Sequence, residues 1–370
     1  MAATSIFSFL LRLLRWLGLF VLLFFAYVTA NLVYGTLTDY QPEEKITLDI
    51  RANSAPTIVN DSLLSFLSWN LGYGGLGAQS NFFYGGGGFL RSHGKMVRSP
   101  RPLVEQYVAG MAQTIRENPV DFYLLQEVDV ASKRSYYIDQ QATVAQIRPQ
   151  YAATFAVNYQ VQRVPTPLLE PWNSYGRTYG GLGTFSRYAP QSAQRLQLPG
   201  VAQWPNRLFL LDRCLAVHRY PTAWGKELVV VNLHNSAFDR DGSIKAVQME
   251  YLKNLLLAEY NAGHYLVVGG DWNQCPPGFA FDTFHPEGSF QSYAPNIAAD
   301  FMPADWQWVY DPKVPTNRSN RTVYRPGETF TTLIDYFLVS PNVAVLEVQC
   351  IDEQFADSDH QAVRMQVRLR

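Results

Sequence analysis

Val120-Asp121-Phe122-Tyr123-Leu124-Leu125-Gln126-Glu127-Val128 is a short apolar run, rich in aromatic and branched side chains, that delivers an acid at its end. The composition and length are those of a buried strand. A carboxylate at the rim of a core is costly unless an ion or a hydrogen-bond donor compensates it. The same pattern recurs along the chain. Ser62 to Trp69 ends in Asn70, Leu228 to Leu233 ends in His234, and Leu266 to Gly270 ends in Asp271 with Asn273 two residues on. Leu333-Ile334 immediately precedes Asp335, and a last loop adds Asp357, Asp359 and His360. Convergence of several such groups points to a hard-cation site, and carboxylate and amide oxygens suit Mg²⁺, or Mn²⁺, rather than zinc.

Helical periodicity lies between these runs. Leu103, Val104, Tyr107, Val108, Met111 and Ile115 fall on one helical face, and so do Ile244, Val247, Tyr251, Leu252, Leu255 and Leu256. Near the end, Val363, Met365, Val367 and Leu369 alternate with Arg364, Gln366 and Arg368, which predicts a strand with one wet face. Helices alternating with buried strands predict an α/β or layered α+β domain.

Taken together and in this order, the elements resemble the endonuclease/exonuclease/phosphatase superfamily, which includes DNase I-like nucleases, sphingomyelinases and inositol-polyphosphate phosphatases. The resemblance runs from about Ser62 to Arg370. Ser68-Trp69-Asn70 looks like its opening strand end, and Leu125-Gln126-Glu127-Val128 like its L-Q-E-V signature. Gly180 to Tyr188 is similar to its glycine-rich strand, with Leu182 where many members have Asn. Asn232-Leu233-His234 resembles N-T-H with Leu for Thr, and Gly270-Asp271-Trp272-Asn273 resembles G-D-F-N with Trp for Phe. Ile334-Asp335-Tyr336 and Ser358-Asp359-His360 match the I-D-Y and S-D-H segments.

The resemblance implies a four-layer α/β sandwich of two packed mixed β-sheets flanked by helices, DNase I-like in form. It implies a phosphoesterase in which Asn70, Glu127 and Asp359 hold Mg²⁺ or Mn²⁺. Asp335 would orient His360, Asp271 would orient or deprotonate water, and Asn273 and His234 would donate hydrogen bonds to the phosphoryl group. Either Asp271 or His360 serves as the base, and no covalent enzyme intermediate is expected. A phosphodiesterase acting on a phospholipid or other small phosphoester is expected. The alternatives are a nuclease acting on DNA or RNA and a non-catalytic binding module of the same fold.

From Trp16 to Tyr34 the chain carries no charge, enough at 1.5 Å per residue to cover about 28 Å of hydrocarbon. Arg12 and Arg15 precede this run, so the positive-inside bias leaves 1–15 cytoplasmic and sends the chain beyond Tyr34 across the membrane. This predicts a transmembrane helix at 16–34, a stalk at 35–61 and an extracytoplasmic catalytic domain at 62–370. A signal peptide cut after Val28-Thr29-Ala30 is the other reading of the same residues. Only 16% of residues are charged, against about 25% in an average soluble domain, which again points to a neighbouring membrane.

Thirty basic and thirty-one acidic side chains exclude the broad cationic surface of a duplex-gripping protein. Cys214, Cys275 and Cys350 are too few and too scattered for a disulfide framework or a zinc site. Between Asn70 and Glu127 lies more chain than a turn and one helix require. It holds four consecutive glycines, Gly85 to Gly88, followed by Arg91, Lys95 and Arg98, and reads either as a basic lid that meets an anionic substrate or as a solvated loop whose glycines allow tight turns. A second basic cluster, Arg318, Arg321 and Arg325, reads as an exposed strand connection, with a place bordering the same cleft as the other reading.

Overall fold

The computed structural model of the chain describes residues 2–52, 54–200, 202–237, 242–280, 283–284 and 296–370. One sheet has the strand order β1 (Lys45–Thr47), β6 (Ser192–Gln197), β7 (Cys214–Pro221), β8 (Glu227–His234), β9 (Tyr265–Asp271), β13 (Asp335–Val339) and β10 (Gln307–Val309). The other runs β14 (Val343–Cys350), β15 (Val363–Leu369), β2 (Leu63–Asn70), β3 (Phe122–Asp129), β5 (Gly176–Ser186) and β4 (Ala152–Val164). A small ladder, β11 (Asn317–Arg318) with β12 (Thr331–Thr332), lies apart from both.

Both large sheets are mixed. β2 with β3, and β8 with β9, are parallel, and the other pairs are antiparallel. The parallel pairs need long crossovers, and α2 (Arg101–Glu117) and α4 (Ser243–Asn261) supply them.

Burial sorts the chain into layers. Phe66, Phe122 and Leu124 from one sheet meet Leu228, Val230, Val267 and Phe337 from the other, and Phe66 stacks on Phe122 with ring centres 4.6 Å apart. Beneath the second sheet, Leu67, Trp69, Tyr123 and Leu125 pack against Met111 and Ile115 of α2 and Val144 of α3 (Gln140–Ile147). Outside the first, Val229, Val231, Leu266 and Val268 pack against Met249, Leu252 and Leu256 of α4. The architecture is therefore the four-layer sandwich expected. β5 needs its glycines at close approaches: a Cβ on Gly181 would lie 2.2 Å from the Ala156 carbonyl oxygen, on the neighbouring strand.

Three details depart from the sequence reading. The inner face of α4 is rotated, leaving Val247 and Tyr251 exposed and taking Lys245 and Gln248 inward. Polar anchors cause this: Lys245 Nζ donates to the Asn273 carbonyl at 3.2 Å, and Gln248 bonds Ser236 and Pro199. Asp335 begins a strand instead of ending one. Because β13 runs antiparallel to β9, its first residue still lies opposite Asp271, at the same end of the sheet.

The third difference concerns 35–61, read as a stalk. The apolar helix α1 extends over Ala2–Leu37, with Phe7–Leu37 long and apolar enough to cross a membrane. Its last turns rest on the folded domain: Arg163 Nε donates to Asn31 Oδ1 at 3.1 Å, and Trp204 Nε1 to Thr36 Oγ1 at 3.2 Å. Beyond it, β1 covers the edge of β6, Arg51 bridges Ala153 on β4 of the other sheet, and Val59 is fully buried between the sheets. The segment straps both sheets. Its polar composition hides this because only a few side chains, Leu48 and Val59 among them, are buried, and β1 works by backbone pairing at an edge.

A chain cut to begin at Ser62 is expected to unfold at lower urea than one beginning at Thr38. Equal midpoints would show that the strap adds no stability.

Candidate active site

The ends of β2, β3, β8 and β9 and the start of β13 open on the same side of the sandwich. Asn70 stands at the centre: its Nδ2 donates to Asp271 Oδ2 at 3.0 Å and to Glu127 Oε1 at 3.3 Å, while its Oδ1 accepts from Gly72 N at 3.0 Å. In this arrangement Asn70 bridges two carboxylates through its nitrogen, with its Oδ1 turned to the Gly72 amide.

Glu127 is aimed by a bulge. The β3–β5 register shifts between Leu125 and Val128, and Glu127 adopts φ 49°. That left-handed conformation is uncommon for a residue with a Cβ and recurs at functional sites. Asn273, at φ 52°, has it too. Glu127 is the site acid that reaches solvent, with 22% of its side chain exposed against 2% for Asp271 and 0% for Asp335.

Asp271 is gripped from several directions. Its Oδ1 accepts from Asn273 N at 2.9 Å, and its Oδ2 lies 3.4 Å from His234 Nε2 and 3.8 Å from His360 Nε2. Asn273 itself is tied by its Nδ2 to the Asn235 carbonyl at 2.9 Å. Asp335 Oδ2 pairs with His360 Nδ1 at 2.8 Å, which fixes the ring and leaves Nε2 facing the cleft. Asn317 Nδ2 lies 3.0 Å from that Nε2, and rotation of the amide lets it meet either protonation state. Asp359 accepts from Asn320 Nδ2 at 3.1 Å through Oδ2, and its Oδ1 is buried without a partner.

The two histidines are driven in opposite directions. Burial, with Arg213 and His360 nearby, holds His234 well below the usual histidine value, so it is neutral. Burial would lower His360 as well, but Asp335, Asp271 and Asp359 outweigh it and lift the ring to about 10. Burial pushes Asp335 up to about 7 and raises Glu127. Four carboxylates (Glu127, Asp271, Asp335 and Asp359) thus face three cations: protonated His360, Arg213, and Arg318 beside Asp359. Arg134, another nearby guanidinium, is spent in a buried pair with Asp129 at 2.8 Å.

One negative charge is left uncompensated when all four carboxylates are ionised. The orphaned oxygens of Asp359 and Asp335 are where such an excess can bind a cation. The donor atoms of Asp271, Asp335 and His360 also lie within 4.8 Å of one another. A protonated His360 has no lone pair to give, so the ligands left are carboxylate oxygens, which fit a hard divalent cation.

Not every expected residue is here. Arg91, Lys95 and Arg98 form no hydrogen bond or ion pair with the site acids; Arg91 lies by Glu170 and Arg98 by Lys133, on an outer lip. Phe83 and Val97, both buried, fasten this loop to the domain beside Tyr175. Arg318 is also structural, buried and donating to the carbonyls of Leu76, Gly77 and Ser80. Arg213, which faces Glu127 and Asp271, lies outside any apolar run that ends in a polar group. Arg213 precedes the buried β7, a position that signalled nothing by itself.

Residues 67–360 match the Endonuclease/Exonuclease/phosphatase family. The chain belongs to that family. Its superfamily comprises metal-dependent phosphoesterases, nucleases and phosphatases. Among solved structures, the chain is similar to the endonuclease/exonuclease/phosphatase from Beutenbergia cavernae (TM-score 0.53, 18% identity, covering 83% of this chain and 72% of that one). It is also similar to ANGEL2, a 2′,3′-cyclic phosphatase, in complex with adenosine-2′,3′-vanadate (TM-score 0.52, 14% identity, 88% and 99%). At these identities the likeness establishes the shared fold. No curated protein matches the chain.

With chelator present, the His360 ring is expected to titrate above the ordinary histidine value of about 6.5 and to fall in Asp335→Asn. His234 is expected to titrate, if at all, well below the ordinary histidine value. Ring-nitrogen NMR reads both, and an unshifted His360 would refute the electrostatic account.

Proposed function

We propose that this protein is a divalent-metal-dependent phosphodiesterase, anchored by α1, that hydrolyses a phospholipid or another small phosphoester outside the cytoplasm. The observation that carries the reaction class is the uncompensated acid cluster at one end of the sandwich, in a chain of this family. Glu127 and Asp359 would hold Mg²⁺ or Mn²⁺, and Asn70 keeps Glu127 and Asp271 in register. A cation held there supplies Lewis-acid polarisation of a phosphoryl oxygen.

The remaining work falls to this chain's own side chains. Asp271, held by Asn273 N and Asn70, takes the proton of the attacking water, for which its position between neutral His234 and His360 suits it. His360, steered by Asp335, presents Nε2 to the phosphoryl oxygens, where negative charge builds as water adds. His234 Nε2, close to Asp271 and Glu127, donates toward the same region, and Arg213 adds fixed positive charge behind it.

The lipid preference is supported by two observations. α1 rests on the catalytic domain through Asn31 and Thr36, which would keep the domain near a bilayer, and the formal charge of −1 offers no broad attraction for polynucleotide. The extracytoplasmic side is inferred from Arg12 and Arg15 at the start of the apolar run.

The test is hydrolysis of an aryl phosphodiester, an aryl phosphomonoester, phospholipid vesicles and single-stranded DNA by the full chain, with Mn²⁺, Mg²⁺ or chelator. Metal-dependent diester cleavage is expected, lost in Glu127→Ala and reduced about 10²–10⁴-fold in Asp271→Asn. Monoester preference would reassign the chain to a phosphatase, and cleavage of DNA with vesicles untouched would make it a nuclease.

A further inference from the structure

We propose a second membrane contact on this protein: the lip formed by residues 82–98 and 163–177, with the neighbouring 204–211, seats on an anionic phospholipid surface. The inference rests on α1 being the membrane anchor and goes beyond it by assigning the catalytic domain its own lipid-facing surface.

The three segments form one surface. Leu168 N donates to the Phe89 carbonyl at 3.1 Å and Leu169 N to that of Leu90 at 3.0 Å, so the glycine-rich loop is paired with the chain leaving β4. Glu170 Oε1 locks the pairing by accepting from Ser92 N at 2.8 Å. Beneath it, Phe83, Val97, Val164 and Tyr175 share a small buried cluster onto which Phe209 and Leu211 pack. The same Phe209 touches α1: a Cβ on Gly35 would meet its ring at 3.4 Å. The lip and the exit of the apolar helix are therefore parts of one end of the molecule.

The side chains this surface exposes are unusual for water. Trp172 is 77% exposed, Phe89 56% and Trp204 55%, with Leu90 and Leu210 also open. Neighbouring exposed apolar side chains mark an interaction surface, and Trp with Phe beside cations is the composition of a membrane interface. Charge agrees. The three segments contain six Arg or Lys and one acid, Glu170, in a chain of formal charge −1. Glu170 is already engaged by Ser92.

At the edge of this surface Lys133 lies beside Gly176 and close to Arg98 and Arg163, and among the described residues none of the three forms an ion pair with an acid. Partial burial and the two arginines lower the Lys133 ammonium, and Arg98 Nε is buried with no hydrogen-bond partner. Arg163 bonds Asn31 in the last turns of α1, which puts the cluster beside the point where that helix meets the domain. Lipid phosphates at that level are the matching anions, each nearby cation adding to the attraction.

The experiment uses the full chain reconstituted into phosphatidylcholine vesicles with or without phosphatidylserine, the acyl chains brominated near the carbonyl end to quench shallow tryptophans. Wild type is compared with Trp172→Phe and with Arg98→Gln/Lys133→Gln, all checked for unchanged melting, and carbonate washing reports on the anchor. With phosphatidylserine present, wild type is expected to lose clearly more fluorescence than Trp172→Phe. That excess should shrink at least two-fold in neutral vesicles and in the double variant. Identical quenching of wild type and Trp172→Phe in vesicles that retain the chain through carbonate would overturn the lip alone. Equal excess in neutral and anionic vesicles would overturn its preference for anionic lipid. Release of the chain by carbonate would overturn the anchor, and the lip with it.

Discussion

The structure turns on a surplus of buried negative charge at one end of two packed sheets. Isolated carboxylates in such a place would take up protons or unfold the rim, because desolvation penalises the ionised form. Here they are spaced by an asparagine, an aspartate–histidine pair and a half-buried arginine, which together compensate only part of the charge. The remainder suits a divalent cation. The local strain has the same origin, since a bulge and left-handed backbone at Glu127 and Asn273 are needed to turn strand ends toward one point.

Much of this was legible in the residues. The runs ending in Asn70, Glu127, His234 and Asp271 read as buried strands with polar ends, and the two sheets bring those ends to one side. The S-D-H segment arrives at the same place through its bridge to Asn317. The features that escaped the reading depend on partners distant in the chain. Arg213 and Asn317 matter because of the groups they face, and neither lies in a periodic run or a motif. The basic loop misled for the converse reason. Its charges were visible, but the buried Phe83 and Val97 that fasten it to the domain, and leave its cations without a bond to the site acids, could be recognised only with β4 and Tyr175 in place.

The fold was legible in class and less so in its edges. Strands of two or three residues such as β1, β11 and β12 carry too little pattern to be seen, and they act through backbone pairing. The strap from Thr38 to Asp61 is the largest consequence, because it makes the segment after the apolar helix part of the sandwich. The helix is thereby joined to the domain by contacts at Asn31 and Thr36, and just beyond its end by the Asp39–Arg207 ion pair, as well as by the chain itself. Site, strap and lip then belong to one body whose apolar and basic end adjoins the helix.

The most direct test of the charge argument needs no substrate. Equilibrium binding of Mn²⁺ to the full chain, read by electron paramagnetic resonance of the free ion, should show at least one site per chain. Binding should weaken by an order of magnitude or more in Glu127→Gln and in Asp359→Asn, and should compete with Mg²⁺. A folded protein that leaves all the Mn²⁺ free, or binds it equally well without Glu127 and Asp359, would contradict the account.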